Sequence, residues 1–220
     1  MAGTVYLAGG GSPADESEVW RDAYAGVGRV LYWPFALEGA MLDTSDDWFR
    51  TALRELGLAP EVTTWTTLEG HDSVDLESFD LLHVGGGNTF RLLDHIRRQG
   101  FLGPVRSFVQ EGGRYYGGSA GAIIACGDIR TAVGRDPNVV GITDLAAVGL
   151  VPSRFVEPHY RGDEESGTAL GERILGVPER GGVSWDGHRF TAIGSRTYPA
   201  GGRRVLVTRR PLSEVLGTCH

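Results

Sequence analysis

The chain has no lysine; all 21 of its basic residues are arginine. That absence excludes a Ser-Lys dyad, a Schiff-base lysine and the phosphate-gripping lysine of a P-loop. Cysteine is scarce as well. Cys126 and Cys219 lie far apart and match neither a disulfide framework nor a zinc spacing. No His, Cys, Asp or Glu group has metal-ligand spacing, so no metal and no other cofactor is expected. Positive charge is not in surplus. A net charge of -7 offers no basic surface for nucleic acid or an anionic membrane. No apolar run reaches bilayer-spanning length, and no basic-then-apolar leader follows Met1, so the expectation is a cytoplasmic protein.

Glycine, by contrast, is abundant at 34 residues and clusters at the ends of expected strands. Strands are expected at 4–8, 29–35, 61–65 and 79–84, with a fifth leading into Ser119. Ser12 and Ser45 are read as helix caps, and a further helix follows Asn88 with Phe90, Leu93 and Ile96 on one face. Strands alternating with helices imply an α/β fold, a doubly wound and mostly parallel sheet with helices on both faces, as one domain over 1–220. After Gly127 the pattern loosens. Short strands are expected at 155–160, 181–185, 189–193 and 203–208, and a helix at 166–175. Ligands of such a sheet sit beyond the carboxyl ends of its strands. That places Gly85-Gly86-Gly87-Asn88 and Gly117 to Gly121 side by side at one rim.

Gly117-x-Ser119-x-Gly121 has the pattern of a nucleophile elbow, in which a strand turns sharply into a helix with the serine at its tip. A nucleophilic serine needs a base for its proton and an acid to orient that base. Of six histidines, His71, His95, His188 and His220 read as surface or turn residues, and His83 as a core residue in a strand. His159, after an apolar approach, ranks first. A rival class is also present. Gly9-x-Gly11-x-x-Ala14 follows a strand and opens a helix, with Glu38 after the second strand, which is the outline of a dinucleotide-binding oxidoreductase. A third class is a catalytically silent small-molecule binder on the same fold.

Three ordered stretches narrow the choice. Gly85-Gly86-Gly87-Asn88-Thr89-Phe90, Gly118-Ser119-Ala120-Gly121-Ala122 and Pro158-His159-Tyr160 together resemble the peptidase E family, S51, of serine peptidases. The resemblance implies a fold akin to class I glutamine amidotransferases and an exopeptidase of dipeptidase type, acting on short peptides, among them those with N-terminal Asp. It implies Ser119 as nucleophile and His159 as general base. The family's acid is commonly a glutamate in a Pro-Glu-Gly turn. The stretch taken as its counterpart here, 182–187, offers Asp186 instead, with Asp136 and Glu157 as alternatives. Backbone N–H groups of Gly86, Gly87 and Ala120 are expected to form the oxyanion hole. Asn88 either binds substrate or caps its helix. Arg173, with Arg161, is the candidate cation for a substrate carboxylate, though Leu170 stands where a family arginine is expected. The partner is a short peptide, and the chain itself is expected as a monomer or homodimer.

Overall fold

The computed structural model of the chain describes residues 2–161, 174–194 and the backbone of 205–206. Five strands run parallel: β1 (Val5–Ala8), β2 (Arg29–Trp33), β3 (Glu61–Thr64), β4 (Leu81–Val84) and β5 (Arg114–Gly118). β1 and β4 are buried at every position, as strands covered on both faces must be. Among the described residues six α-helices connect or follow them: α1 (Ser17–Ala23), α2 (Ala40–Asp43), α3 (Ser45–Glu55), α4 (Thr89–Arg98), α5 (Leu102–Gln110) and α6 (Ala120–Ala125). The later strands are β6 (Phe155–Glu157), β7 (Ile174–Gly176), β8 (Gly181–Trp185), β9 (Phe190–Gly194) and β10 (Val205–Leu206).

The main sheet has the order β3-β2-β4-β5-β1-β8-β9. β8 and β9 are its antiparallel members, at the edge beyond β1. Alternate residues feed two cores. Val5 and Leu7, Leu31 and Trp33, and Tyr115 point to one face, where they meet Phe90, Leu93, Val105 and Ile123. Tyr6, Tyr32 and Tyr116 point to the other, where they meet Trp20, Phe49 and Leu53. The sheet is therefore mostly parallel with helices on both faces. A second sheet, β10-β7-β6, is parallel throughout, and its Val156 and Leu175 join the first core. No helix among the described residues is long and apolar enough to cross a membrane.

Three local expectations give way. Ser45 is the first residue of α3 and no cap; its hydroxyl donates back to the Leu42 carbonyl at 2.6 Å. α1 begins at Ser17, not after a Ser12 cap; the Ser12 hydroxyl instead accepts from the Asp15 amide at 3.2 Å in a turn ahead of the helix. That turn is what lets Glu16 reach back under the Gly10-Gly11 turn. Ile174 and Leu175, placed in a helix by the sequence, belong to β7; residues 166–173 lie outside the described residues. Here pairing with β6 decides the conformation over local propensity.

Candidate active site

Neighbouring strands β4, β5 and β1 end in glycine-rich turns at one rim, and the site is built on those turns. Ser119 follows β5 with φ 50° and ψ -109°. Among the described residues two non-glycines have positive φ, Ser119 and His159 (φ 55°). Backbone of that kind costs about 1–3 kcal/mol per residue and persists where surroundings over-determine it. They do so at Ser119. A Cβ on Gly117 would lie 2.4 Å from the Gly121 carbonyl oxygen, so only a glycine pair lets strand and helix close this tightly. The Tyr115 hydroxyl donates to that same Gly121 carbonyl at 2.7 Å, and the Ser119 amide donates to the Ala8 carbonyl at 3.3 Å.

The small sheet supplies the partners. β6 runs into Pro158-His159 and β7 into Pro178-Glu179. Because the two strands are parallel neighbours, with Glu157 opposite Gly176, their carboxyl ends deliver His159 and Glu179 side by side. The His159 amide donates to the Gly9 carbonyl at 2.8 Å, and the Tyr160 amide to the Val177 carbonyl at 3.1 Å. His159 Nε2 lies 3.0 Å from Ser119 Oγ, and Nδ1 lies 3.0 Å from Glu179 Oε1. A carboxylate can only accept, so Nδ1 carries the proton and the Nε2 lone pair faces the serine hydroxyl.

Gly9-Gly10-Gly11 wedges between these parts. A Cβ on Gly10 would lie 2.6 Å from the His159 ring and 2.8 Å from Ser119 Cβ. Glu16, only 4% exposed, holds the turn in place. Its Oε1 accepts from the Gly10 and Gly11 amides at 2.6 and 2.9 Å, and its Oε2 accepts from the Tyr116 hydroxyl at 2.6 Å. Burial pushes the Glu16 carboxyl above its ordinary range, against the pull of those same bonds. Gly86 is adjacent to Ser119, since its Cβ would stand 3.2 Å from Ser119 Cβ. Ala120 opens α6, where a backbone N–H has no acceptor within the helix. A cavity of about 420 Å³ opens beside Ser119, walled by Trp20, Tyr32, Trp48, His83 and Tyr116. His83 is a core residue: it meets the Tyr24 hydroxyl at 2.8 Å through Nδ1, and burial lowers its pKa to about 3.

The model of peptidase family S51 matches residues 13–182. The chain belongs to peptidase family S51. Peptidase E of Shigella sonnei (strain Ss046) and of Escherichia coli (strain K12 / DH10B) are each 37% identical to it over 135 residues. Those residues are 60% of this chain and 55% of theirs, so the match spans about half the length of the curated relatives. Among solved structures, one of a Listeria monocytogenes EGD-e protein assigned to peptidase E superposes with a TM-score of 0.73 at 23% identity, covering 89% of this chain and 100% of that one. A peptidase from an acI-B1 Actinobacterium superposes at 0.66 and 18% identity, covering 90% and 89%. They share the fold, which is the class I glutamine amidotransferase-like arrangement that the S51 resemblance implies.

Within this S51 chain the acid against His159 is Glu179, and the expectation for Asp186 is corrected. β8 runs antiparallel to β1, with Ala8 opposite Gly182 and Val5 opposite Trp185. Asp186 therefore lies at the far end of the strand, about 13 Å along the sheet from the rim by strand rise. There it accepts from the His188 and Arg189 amides, and these, Arg189 first, hold its carboxyl below the usual range. Asp136 is not against His159 either; it accepts from the Thr89 amide at 2.8 Å, at the start of α4. Glu157 is buried in an ion pair with Arg135, which also donates to the Pro158 carbonyl. Asn88 uses both ends of its amide, capping α4 through the Arg91 amide at 2.9 Å and donating to the Pro137 carbonyl at 2.8 Å, so it is a cap and a loop tie and not a free substrate ligand. Arg173 lies outside the described residues. The dinucleotide reading loses its site, because the Gly9 to Gly11 turn is filled by the chain itself: a Cβ on Gly9 would lie 2.0 Å from the Pro178 carbonyl oxygen. Glu38, its supposed ribose ligand, pairs with Arg91.

Sequence reasoning passed over Glu179 and Glu16. The signal for Glu179 was Pro178-Glu179 with Gly181 two places on, one residue longer than the Pro-Glu-Gly turn of S51. Glu16 was legible only as an acid near a helix start.

Proposed function

We propose that this chain is a serine peptidase that hydrolyses short peptides through an acyl-enzyme, with Ser119 as nucleophile, His159 as base and Glu179 as orienting acid. The observation that carries it is the unbroken chain from Ser119 Oγ to His159 to Glu179, 3.0 Å at each step, with the serine and the histidine on strained backbone. The S51 family supports the same reading. Ser119 Oγ attacks the scissile carbonyl carbon while its proton passes to His159 Nε2. Glu179 holds the ring in the productive tautomer and stabilises the imidazolium. Negative charge on the carbonyl oxygen is met by backbone N–H groups, for which Ala120 and the Gly86-Gly87 turn are the candidates. The tetrahedral intermediate then collapses. The C–N bond breaks, and the departing amine takes the proton from His159. Water, deprotonated by His159, attacks the ester; the acid product leaves and Ser119 recovers its proton.

Within this reading the protein acts in the cytoplasm, consistent with a chain that keeps Cys126 free and buried. The test is labelling with a fluorophosphonate beside hydrolysis of dipeptides. Wild type should be acylated at Ser119, and Ser119→Ala should be neither labelled nor active, with kcat lower by a factor on the order of 10⁶. Dipeptide hydrolysis that survives in Ser119→Ala would remove the reading.

A further inference from the structure

The cavity beside Ser119 has a chemistry of its own. Trp20, Tyr32, Tyr116 and Trp48 present ring surface to it. The first three are buried to within 5% exposure and are locked against each other and against Phe49 and His83. At about 420 Å³ it falls in the range of small-ligand pockets. No arginine stands among the described residues that line it, and their one carboxyl group is that of Glu16. The Glu16 oxygens are already occupied by the Gly10 and Gly11 amides and the Tyr116 hydroxyl. A substrate carboxylate entering here would lose water and meet no cation among the described residues to offset that loss.

The mouth repeats the message. Large apolar side chains that remain well exposed are few among the described residues, and two of them, Met41 (63%) and Trp48 (50%), stand at this opening. They come from α2 and the first turn of α3. Exposed apolar groups gathered at the lip of an apolar cavity mark a surface that is covered when a ligand enters.

Resting on the acyl-enzyme reading of Ser119, we infer that this cavity is the side-chain subsite beside the scissile bond and that it selects a bulky uncharged residue, aromatic or branched aliphatic, over aspartate. Trp48 is its specificity-determining wall, set where a substrate side chain must pass. Burying such a side chain in an apolar pocket is worth a factor of about 10–150 in binding, and an unpaired carboxylate loses more than that.

The test uses two dipeptide series, X-Leu and Leu-X, with X being Phe, Leu, Ala, Asp or Lys. The readout is kcat/KM or, for peptides that bind without turnover, protection of Ser119 from fluorophosphonate. In one of the series Phe or Leu should exceed Asp by about 10² or more. Trp48→Ala should lower the Phe-over-Ala ratio about tenfold and Trp48→Phe should keep most of it, both with unchanged near-UV circular dichroism. Labelling of Ser119 together with a preference for Asp or Lys, or a ratio untouched by Trp48→Ala, would overturn the subsite and leave the acyl-enzyme reading standing. Absence of labelling and of hydrolysis alike would overturn the acyl-enzyme reading, and this inference with it.

Discussion

Ser119 stands on a turn fixed from every side by the sheet beneath it, whereas His159 and Glu179 reach it from a second sheet on short loops. Ser119's neighbours are strands β4 and β1, buried throughout, and β5, buried at its three central positions, and a Cβ on Gly117 or Gly121 would run into backbone. The histidine and glutamate side chains are 40% and 50% exposed, and their geometry rests on backbone bonds to Gly9 and between the two loops. On the proposed mechanism, the difference makes this site rigid where charge would develop on the substrate and looser where the proton would be handled. What joins the two arms is the Gly9 to Gly11 turn, and what holds that turn is Glu16.

The contrast is broken most strongly at Glu16. Glu16→Ala leaves two part-buried amides and the buried Tyr116 hydroxyl without their acceptor, and should cost about 3 kcal/mol in denaturant unfolding, with kcat falling as His159 loses its wedge. Glu16→Gln keeps an acceptor for both amides and should recover most of that stability, within about 1 kcal/mol of wild type. The pH dependence has a definite sign. Because the folded-state pKa of Glu16 is raised above 4.5, the native chain holds this proton more tightly than the unfolded chain does. Its contribution therefore falls as pH rises from about 4.5 through the raised value. The stability difference between wild type and Glu16→Gln should shrink or reverse in that sense over that window; a difference that grows in favour of wild type would contradict the burial argument.

A smaller effect sharpens the same comparison. Asp136 ties its loop to the start of α4 and touches neither arm's proton path. Asp136→Ala should cost about 1 kcal/mol of stability, the worth of a lost helix cap. Its kcat should stay within about tenfold of wild type, measured on the same dipeptide, since a cap removed away from the reacting atoms shifts stability more than rate. A collapse of kcat with the fold retained would place Asp136 in the chemistry.

The two arms also differ in how far they could be read from the residues alone. The elbow is a local device. Gly117, Ser119 and Gly121 sit within five positions, and the strand before and the helix after them are set by ordinary patterning, so both the parallel sheet and Ser119's place on its rim were legible. His159 was legible through Pro158 and Tyr160 as an S51 segment. Glu179 was not, because its position depends on β7 pairing with β6, and β7 is a three-residue strand whose sequence, Ile174-Leu175-Gly176, suits a helix end as well. The Asp186-Gly187 turn looked like a better home for an acid, and nothing short of the antiparallel direction of β8 shows that it faces away. The aromatic cavity was hidden for a similar reason: Trp20, Tyr32, Trp48 and Tyr116 come from four separate elements and read one by one as core or surface.

The central claim is that the acid of the relay is Glu179, brought to His159 by the small sheet. Comparing kcat of Glu179→Gln and Asp186→Asn with wild type on one dipeptide, after confirming that each is folded, tests it directly. Glu179→Gln keeps the shape but lets the imidazole take the wrong tautomer, and kcat should fall by up to about 10⁴, while Asp186→Asn, in a surface turn that asparagine also satisfies, should stay within about twofold. If Asp186→Asn is the crippled enzyme and Glu179→Gln is not, the relay described here is not the one that works.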